Sequence, residues 1–478
     1  MTMATYSTPG VYVEEISTFP PSVAAVSTAI PAFIGYTASG PSASEAPKVV
    51  RINNLLEYET AFGGAKPTSF EVSANYDADN SAWSISSLQK ASVASGKDFI
   101  LYYCLSMYFK NGGGSCYIVS VGNYDDTASK QRFLDGIAEL ETEDEPTLIS
   151  FPDAAVNLSA SADYYDTCQA ALSQCNKLGD RFTIIDVKEN VGSEAPADVL
   201  RDASLNKSDL MYGAAYTPYL KTSLVYVTAD DKVTLDITGY EVTSADAPAD
   251  GEGEAAASAV VTLATVRDEL TGLYAMVVKS LGNQRITLPP SSSIAGVYAN
   301  VDRERGVWKA PANESIVSVI GPVRKITDEE QGRLNIDVNA GKSINVIRAF
   351  TGRGTLVWGA RTLAGNDNEW RYVSVRRLFN MIEESCQKST AFAVFEPNDA
   401  TTWLKVKAMI ESFLLGLWEQ GGLQGSTSES AYYVNVGLGK TMTSQDILEG
   451  RMNIEIGVAA VRPAEFVVLR FSHKLAEA

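Results

Sequence analysis

FILYYCLSMYFKNGGGSCYIVSVG, residues Phe99 to Gly122, is the stretch on which the fold turns. Its first half, Phe99–Lys110, reads as a helix that ends at Gly112–Gly114, and Ser115–Gly122 reads as a buried strand. The same alternation repeats downstream. A helix around Phe133–Leu140 is followed by the strand TLISF (Thr147–Phe151), the helix Ala162–Leu178, the strand FTIIDV (Phe182–Val187) and a strand around Tyr212–Thr217. Apolar strands alternating with helices predict a parallel, layered α/β domain.

The chain is 478 residues long, beyond a single core, so two or three domains are expected. Val23–Tyr36 (VAAVSTAIPAFIGY) has the small, apolar character of a chain entering a packed sheet. Thr228–Ser258 is acidic and rich in Gly and Ala, and reads as an exposed hairpin or mobile loop with little to bury. Farther on, Arg371–Lys388 places Val375, Leu378, Phe379, Ile382 and Cys386 on one stripe. Arg376, Arg377, Glu383, Glu384 and Lys388 fall off it, and Glu384 is spaced to pair with Lys388. Trp403–Trp418 is a second amphipathic helix, capped around Asp399. The strands NIEIGVAAV and EFVVLRFSHK follow, and helices followed by strands predict an α+β module.

No run of about 18 apolar residues is present, so no membrane-inserting segment is expected, and no secretory signal is read at the N-terminus. Five cysteines without a CxxC suit a reducing cytoplasm during synthesis, with Cys168 and Cys175 sharing a helix face as small buried residues. The net charge is −19 and unevenly placed. After residue 300 there are 21 Lys+Arg against 21 Asp+Glu, and before it 18 against 37. That balance is poor for binding nucleic acid, whose affinity rests on phosphate neutralisation.

The chemistry of catalysis is thin. The single histidine, His473, sits five residues from Ala478, a poor place for a triad imidazole, and no GxSxG is present. Gly341-Lys342-Ser343 and Gly439-Lys440-Thr441 imitate a phosphate loop, but Ile336 and Val434 stand where its first glycine belongs. In TGRGTLVWG the third glycine of a dinucleotide loop is replaced by Val357, so all three read as turns. Asp77 and Asp79 in YDADN lack the glycine and closing glutamate of a calcium loop and read as a solvated turn. No catalytic, metal or cofactor residues are assigned. An α/β hydrolase is the alternative of another class, resting only on the layered region.

Both termini call for explanation. TPGVYVEEIS (Thr8–Ser17) holds a strand, Val11, Tyr12, Val13, Glu14, Glu15 and Ile16, without a local partner, and Pro20 and Pro21 follow it. An arm of about 20 residues reaches about 65 Å at roughly 3.3 Å per residue, enough to join another subunit's sheet. At the other end Phe466, Val467, Val468, Leu469, Arg470 and Phe471 form a strand beyond the last helix. Pairing of each terminus within its own domain is the alternative.

TPGVYVEEI followed by PPSVAAVSTAIPAFIGYT resembles the start of tail sheath proteins of contractile phage tails. The subgroup it is most similar to belongs to phage-tail-like extracellular contractile injection systems. The resemblance continues in Leu288–Asn313 and Ile344–Asp399, whereas residues 60–285 match only in general style. It implies a non-enzymatic subunit that polymerises as stacked hexameric rings around an inner tube and shortens to drive that tube through a target envelope. Partners would be further copies of the chain, the tube protein, and baseplate and terminal cap proteins. The implied fold is an outward layered α/β domain inserted before a C-terminal α+β domain, whose sheet is completed by terminal strands of neighbouring subunits. On that plan residues 1–21 are the arm and 22–95 the N-terminal part of the inner domain. Residues 96–343 are the outer domain, with its acidic loop at 228–258, and 344–478 are the C-terminal domain. The outward placing fits the acid-rich first 300 residues.

The expected hinges are Pro20, Pro21, Arg462 and Pro463. Lys405 and Lys407, on the polar side of the second helix, are candidates for tube contact, with plain solvation as the alternative. Assembly is expected in a bacterial cytoplasm, with the particle released or membrane-anchored. A sheath of an infectious phage remains open on the sequence, while a type VI apparatus, built from two polypeptides, fits a single chain poorly.

Overall fold

Pro31–Thr37 (PAFIGYT) is apolar enough to be buried at all seven positions, and this decides its place inside a sheet covered on both faces. The computed structural model describes residues 23–189, 191–240 and 259–466. Among these the chain divides into two units: residues 27–381 with 462–466, and residues 23–26 with 382–461.

The larger unit is built on a nine-stranded sheet. Its strands are β1 (Pro31–Thr37), β2 (Lys48–Ile52), β5 (Cys116–Asn123), β6 (Leu148–Ser150), β7 (Phe182–Asp186), β8 (Gly213–Thr217), β13 (Glu314–Ser315), β15 (Ile344–Phe350) and β16 (Gly354–Val357). They lie in the order β13-β16-β15-β8-β7-β6-β1-β5-β2. The six strands from β15 to β5 are mutually parallel, and antiparallel strands close both edges. Segments 22–95, 96–343 and 344–478 each contribute strands to it.

Side-chain alternation divides the core into two layers. Ala32, Ile34 and Tyr36 face α3 (Lys130–Glu139), α4 (Pro152–Asn157), α5 (Ser161–Leu178) and α6 (Pro196–Asp202), packing with Phe133, Ile137, Ala154, Cys168 and Leu200. Phe33 points the other way, with Tyr58 and Phe62 of α1 (Leu55–Phe62), Leu105 of α2 (Leu101–Lys110) and Ile294 of α9 (Ser291–Arg305). The predicted parallel layering is therefore present, with the opening stretch forming α2 and β5. Cys168 and Cys175 are both buried, on one face of α5.

A second, four-stranded sheet runs in the order β11 (Ala259–Thr262), β10 (Val233–Thr238), β3 (Phe70–Asp77), β4 (Ala82–Lys90). Here the reading of Thr228–Ser258 needs correction. β10 and β11 do pair antiparallel as a hairpin, but β10 alternates V-T-L-D-I-T and buries Val233, Leu235 and Ile237. These pack with Phe70, Val72, and Leu273 and Val277 of α8 (Thr271–Leu281), beside α7 (Leu263–Glu269). The acidic residues around the strand hid a period-2 pattern with a clear apolar face. A three-stranded sheet, β12 (Arg285–Leu288), β9 (Leu220–Val225) and β14 (Val319–Pro322), and the helix α10 (Asp328–Asn335) complete this unit.

The smaller unit carries the C-terminal half of α11 (Val373–Thr390), then α12 (Ala400–Glu419), α13 (Ser428–Ala431), β17 (Tyr432–Val436), α14 (Ser444–Leu448) and β18 (Ile454–Val458). Along α11 the stripe Val375, Leu378, Ile382 and Cys386 is buried. Glu384 and Lys388 pair at 2.7 Å as their spacing predicts.

Candidate strand-docking site

The residues that looked chemical serve the fold. Lys342 is buried, and its Nζ donates to the carbonyls of Arg201 and Ala203 at 2.7 and 2.6 Å, closing the end of α6. Gly352 and Gly354 take left-handed backbone in the turn between β15 and β16, and Gly439 does so in the turn after β17. Asp77 accepts N–H bonds from Asp79 and Asn80 in the β3–β4 turn. His473 lies outside the described residues. No group of three His, Cys, Asp or Glu is placed to hold a metal ion among the described residues.

Two carboxylates that sequence reasoning missed sit at the carboxyl ends of β6 and β7, where layered α/β folds place ligands. Asp153 Oδ2 accepts the N–H of Tyr36 at 2.9 Å and its Oδ1 that of Ile100 at 2.8 Å. Asp186 accepts the N–H and the hydroxyl of Ser291 at 2.7 and 2.6 Å, tying β7 to the first turn of α9. Burial pushes both carboxyls up to about 7, against these donors. Their oxygens are engaged by the chain itself, which makes them fold-holding groups.

The feature left open is in the smaller unit. Asp399 caps α12 by accepting from Thr402 N–H at 2.9 Å, as its position predicts. The buried face of α12 consists of Thr402, Val406, Met409, Ile410, Leu414 and Leu417, in a unit whose hairpin buries Val434 and Val436. β17 and β18 pair antiparallel, Tyr432 opposite Val458 and Val436 opposite Ile454. Among the described residues no further strand joins this two-stranded sheet, although Leu423 bridges Ala460 and Gln424 N–H donates to the Ala459 carbonyl at 2.7 Å just past β18. Two strands alone are marginal in water; here β17 packs on α12, burying Val434 and Val436, while the main-chain edges still offer room for a further strand. Sequence reasoning did not single out YYVNV; its V-N-V alternation was the available signal.

The predicted site residues divide by location. Val11, Tyr12, Val13, Glu14, Glu15, Ile16, Pro20 and Pro21 lie outside the described residues, as do Val467, Val468, Leu469, Arg470 and Phe471. Phe466 is described and 68% exposed. Arg462 and Pro463 follow β18 where the chain passes from the smaller unit to the larger. Lys405 is exposed on α12, and Lys407 is half-buried and paired with Glu411 at 3.5 Å.

Two arginine forks mark where the terminal segments meet the larger unit. Arg377 of α11, 4% exposed, donates to both oxygens of Asp302, and its Nη2 also reaches the Thr28 carbonyl at 2.7 Å. Thr28 donates its hydroxyl to Asp302 at 2.6 Å. Arg361 donates to Glu465 at 2.9 Å (Nε to Oε1) and 2.6 Å (Nη2 to Oε2). Arg376 lies off the apolar stripe yet is also buried, stacked 4.3 Å from the Trp370 ring and donating to Asn380. A face assigned as polar thus became an inner one, because each guanidinium has a partner there.

Two family models match: the phage tail sheath protein central domain over residues 220–363 and the phage tail sheath C-terminal domain over residues 365–474. Together they span just over half of the chain. The tail sheath protein of Vibrio phage KVP40 is 24% identical over 163 residues, 34% of this chain and 24% of that protein. A putative prophage major tail sheath protein of Pseudomonas aeruginosa is 28% identical over 138 residues, 28% of this chain and 34% of that protein. The chain thus spans a quarter to a third of these relatives' length.

Solved structures match over nearly the whole chain. The helical sheath of the anti-feeding prophage in its contracted state is 31% identical, covering 98% of this chain and 100% of that one, with a TM-score of 0.62. The contracted PVC sheath complex of an extracellular contractile injection system is 30% identical, covering 99% of each chain, also with a TM-score of 0.62. The chain belongs to the contractile tail sheath family, whose members are structural proteins. Its mixed α/β fold with several sheets is that of the solved sheaths. Among the described residues no helix is long and apolar enough to cross a membrane.

Proposed function

We propose that the chain is the sheath subunit of a phage-tail-like contractile injection system. Six copies form a ring, rings stack helically around an inner tube, and shortening of the stack drives the tube through a target envelope. Residues 11–16 of one neighbour and 466–471 of another add strands to the edges of the β17–β18 hairpin, linking rings into a mesh. Pro20, Pro21, Arg462 and Pro463 let the tethers turn while the pairing is kept. The acid-rich first 300 residues face outward, and Lys405 on α12 meets the tube; Lys407, already paired with Glu411, is the weaker contact. Baseplate and cap proteins close the ends.

The observation that carries this reading is the two-stranded sheet, to which no third strand is added among the described residues beyond a single bridge from Leu423 to Ala460 past the end of β18, in a chain of the sheath family. Main-chain pairing gives affinity and alternating side chains give register. An injection system is favoured because the sheaths of two such systems match 98–99% of the chain at 30–31% identity.

The test is electron microscopy of the purified full-length protein beside a variant lacking residues 1–17. The full chain should form tubes or stacked rings, and the shortened one should fold with the same circular dichroism spectrum yet form no extended tubes. Normal tubes from the shortened chain would refute the arm exchange.

A further inference from the structure

Glu465 stands immediately before Phe466, the first residue of the proposed C-terminal exchange strand, and its side chain is far from free. Four donors from three residues converge on it, two of those residues, Arg361 and Tyr372, being bridged to each other. Arg361 supplies Nε and Nη2, Asn335 at the end of α10 supplies Nδ2 to Oε1 at 2.8 Å, and the Tyr372 hydroxyl reaches Oε2 at 3.2 Å. The Arg361 side chain is 5% exposed and that of Glu465 22%. Arg361 is itself held, with Nη1 donating to the Asn335 carbonyl at 3.3 Å. Burial opposes the charge on Glu465, but hydrogen bonds from Arg361 and Asn335 outweigh it and keep the carboxyl below the usual carboxylate range.

We propose that this fork is a built-in anchor, fastening the root of the C-terminal segment to the subunit's own larger unit before any neighbour arrives. The idea rests on the strand-exchange reading for its purpose, though not for its geometry. A bidentate guanidinium–carboxylate pair fixes orientation as well as distance. Residue 466 therefore starts from a set point and heading, which lowers the entropy lost when the following strand finds its edge. The turning point of the tether is then confined to the residues before Glu465 or after it, with Glu465 fixed. The Arg377–Asp302 fork that grips Thr28 gives the N-terminal side the same arrangement.

The experiment uses the full chain as dispersed subunits, spin-labelled at Phe466→Cys, since the native cysteines are buried. The label should be immobilised in the parent, mobile in Glu465→Ala, and between the two in Glu465→Gln, with circular dichroism showing all three folded at the temperature of measurement. Equal mobility in parent and Glu465→Ala, or a mobile parent, overturns the anchor. The measurement needs no polymer. A parent chain that forms no tubes by microscopy would remove the strand-exchange reading and leave the anchor to be judged by the label.

Discussion

Asp186 and Ser291 are joined twice: one carboxylate receives both the backbone N–H and the hydroxyl of the same serine, at 2.7 and 2.6 Å. Ser291 also accepts from Ser150 Oγ at 3.0 Å, so β6, β7 and the start of α9 meet at one buried point. Asp153, one strand over, receives backbone N–H groups on both oxygens. An asparagine can replace Asp186, because Nδ2 can donate to a hydroxyl that accepts. It cannot replace Asp153 without setting an amide N–H against a backbone N–H. Asp153→Asn should cost about 1–3 kcal/mol, the penalty of an unmet buried donor, and Asp186→Asn clearly less. Urea unfolding of the two variants measures the difference, and an equal cost would contradict the assigned donors.

The same pair sets a pH dependence. Both carboxyls are pushed up to about 7 in the fold, against about 3.9 in an unfolded chain. The folded state then binds more protons than the unfolded one between those values. Their contribution to stability is complete below about pH 4 and lost as pH rises through about 7. Thermal melting of dispersed subunits should fall between pH 5 and pH 8. Glu465, whose carboxyl is held low, acts in the opposite sense only at more acidic pH. Asp186→Asn should flatten the slope, and an unchanged slope in that variant would acquit Asp186.

Arg377→Ala should be among the more damaging single changes. It leaves Asp302, with a side chain 6% exposed, as a buried charge without its guanidinium, and frees the Thr28 carbonyl. Loss of one partner of such a pair typically costs about 3–5 kcal/mol. Arg377→Lys should recover little, because an ammonium cannot span both carboxylate oxygens and a carbonyl in one plane. Denaturant midpoints for the two variants check this.

All five cysteines are buried, and burial raises the thiols of Cys104, Cys116, Cys168, Cys175 and Cys386. A thiol reagent such as Ellman's should find none in the native protein and five after denaturation, because the thiolate is the reacting form. Fast reaction of a native thiol would show that its packing is looser than described.

What could be read from the residues follows how local the cause is. Phe99–Thr217 was legible because each strand is an apolar run and each helix a separate one, so pattern alone separates them. The neighbours of β1 and β15 were not, since β15 joins β8 across more than 120 residues, and no local pattern records that pairing. β10 was hidden by the acids around it. Asp153, in Phe-Pro-Asp, looks like the ordinary start of a helix, and its burial comes from loops brought in by β1 and α2. For the docking site, the strands proposed to arrive were read from the sequence at both ends of the chain, and except for Phe466 they lie outside the described residues. Of the hairpin that would receive them, β18 was legible as NIEIGVAAV, whereas β17 was not, its five residues being too short a signal beside the helices before it.

β1 begins three residues after Thr28 and lies between β5 and β6, bonded in parallel to both. A pull on the chain from its N-terminal side is directed along this strand, parallel to its own axis. The ladders on both flanks then resist in shear, many hydrogen bonds stretching at once, where a strand at the sheet edge would have one ladder to hold it. Because the chain enters its largest sheet on an interior strand, the subunit is mechanically stiff at that point against tension from the N-terminal side.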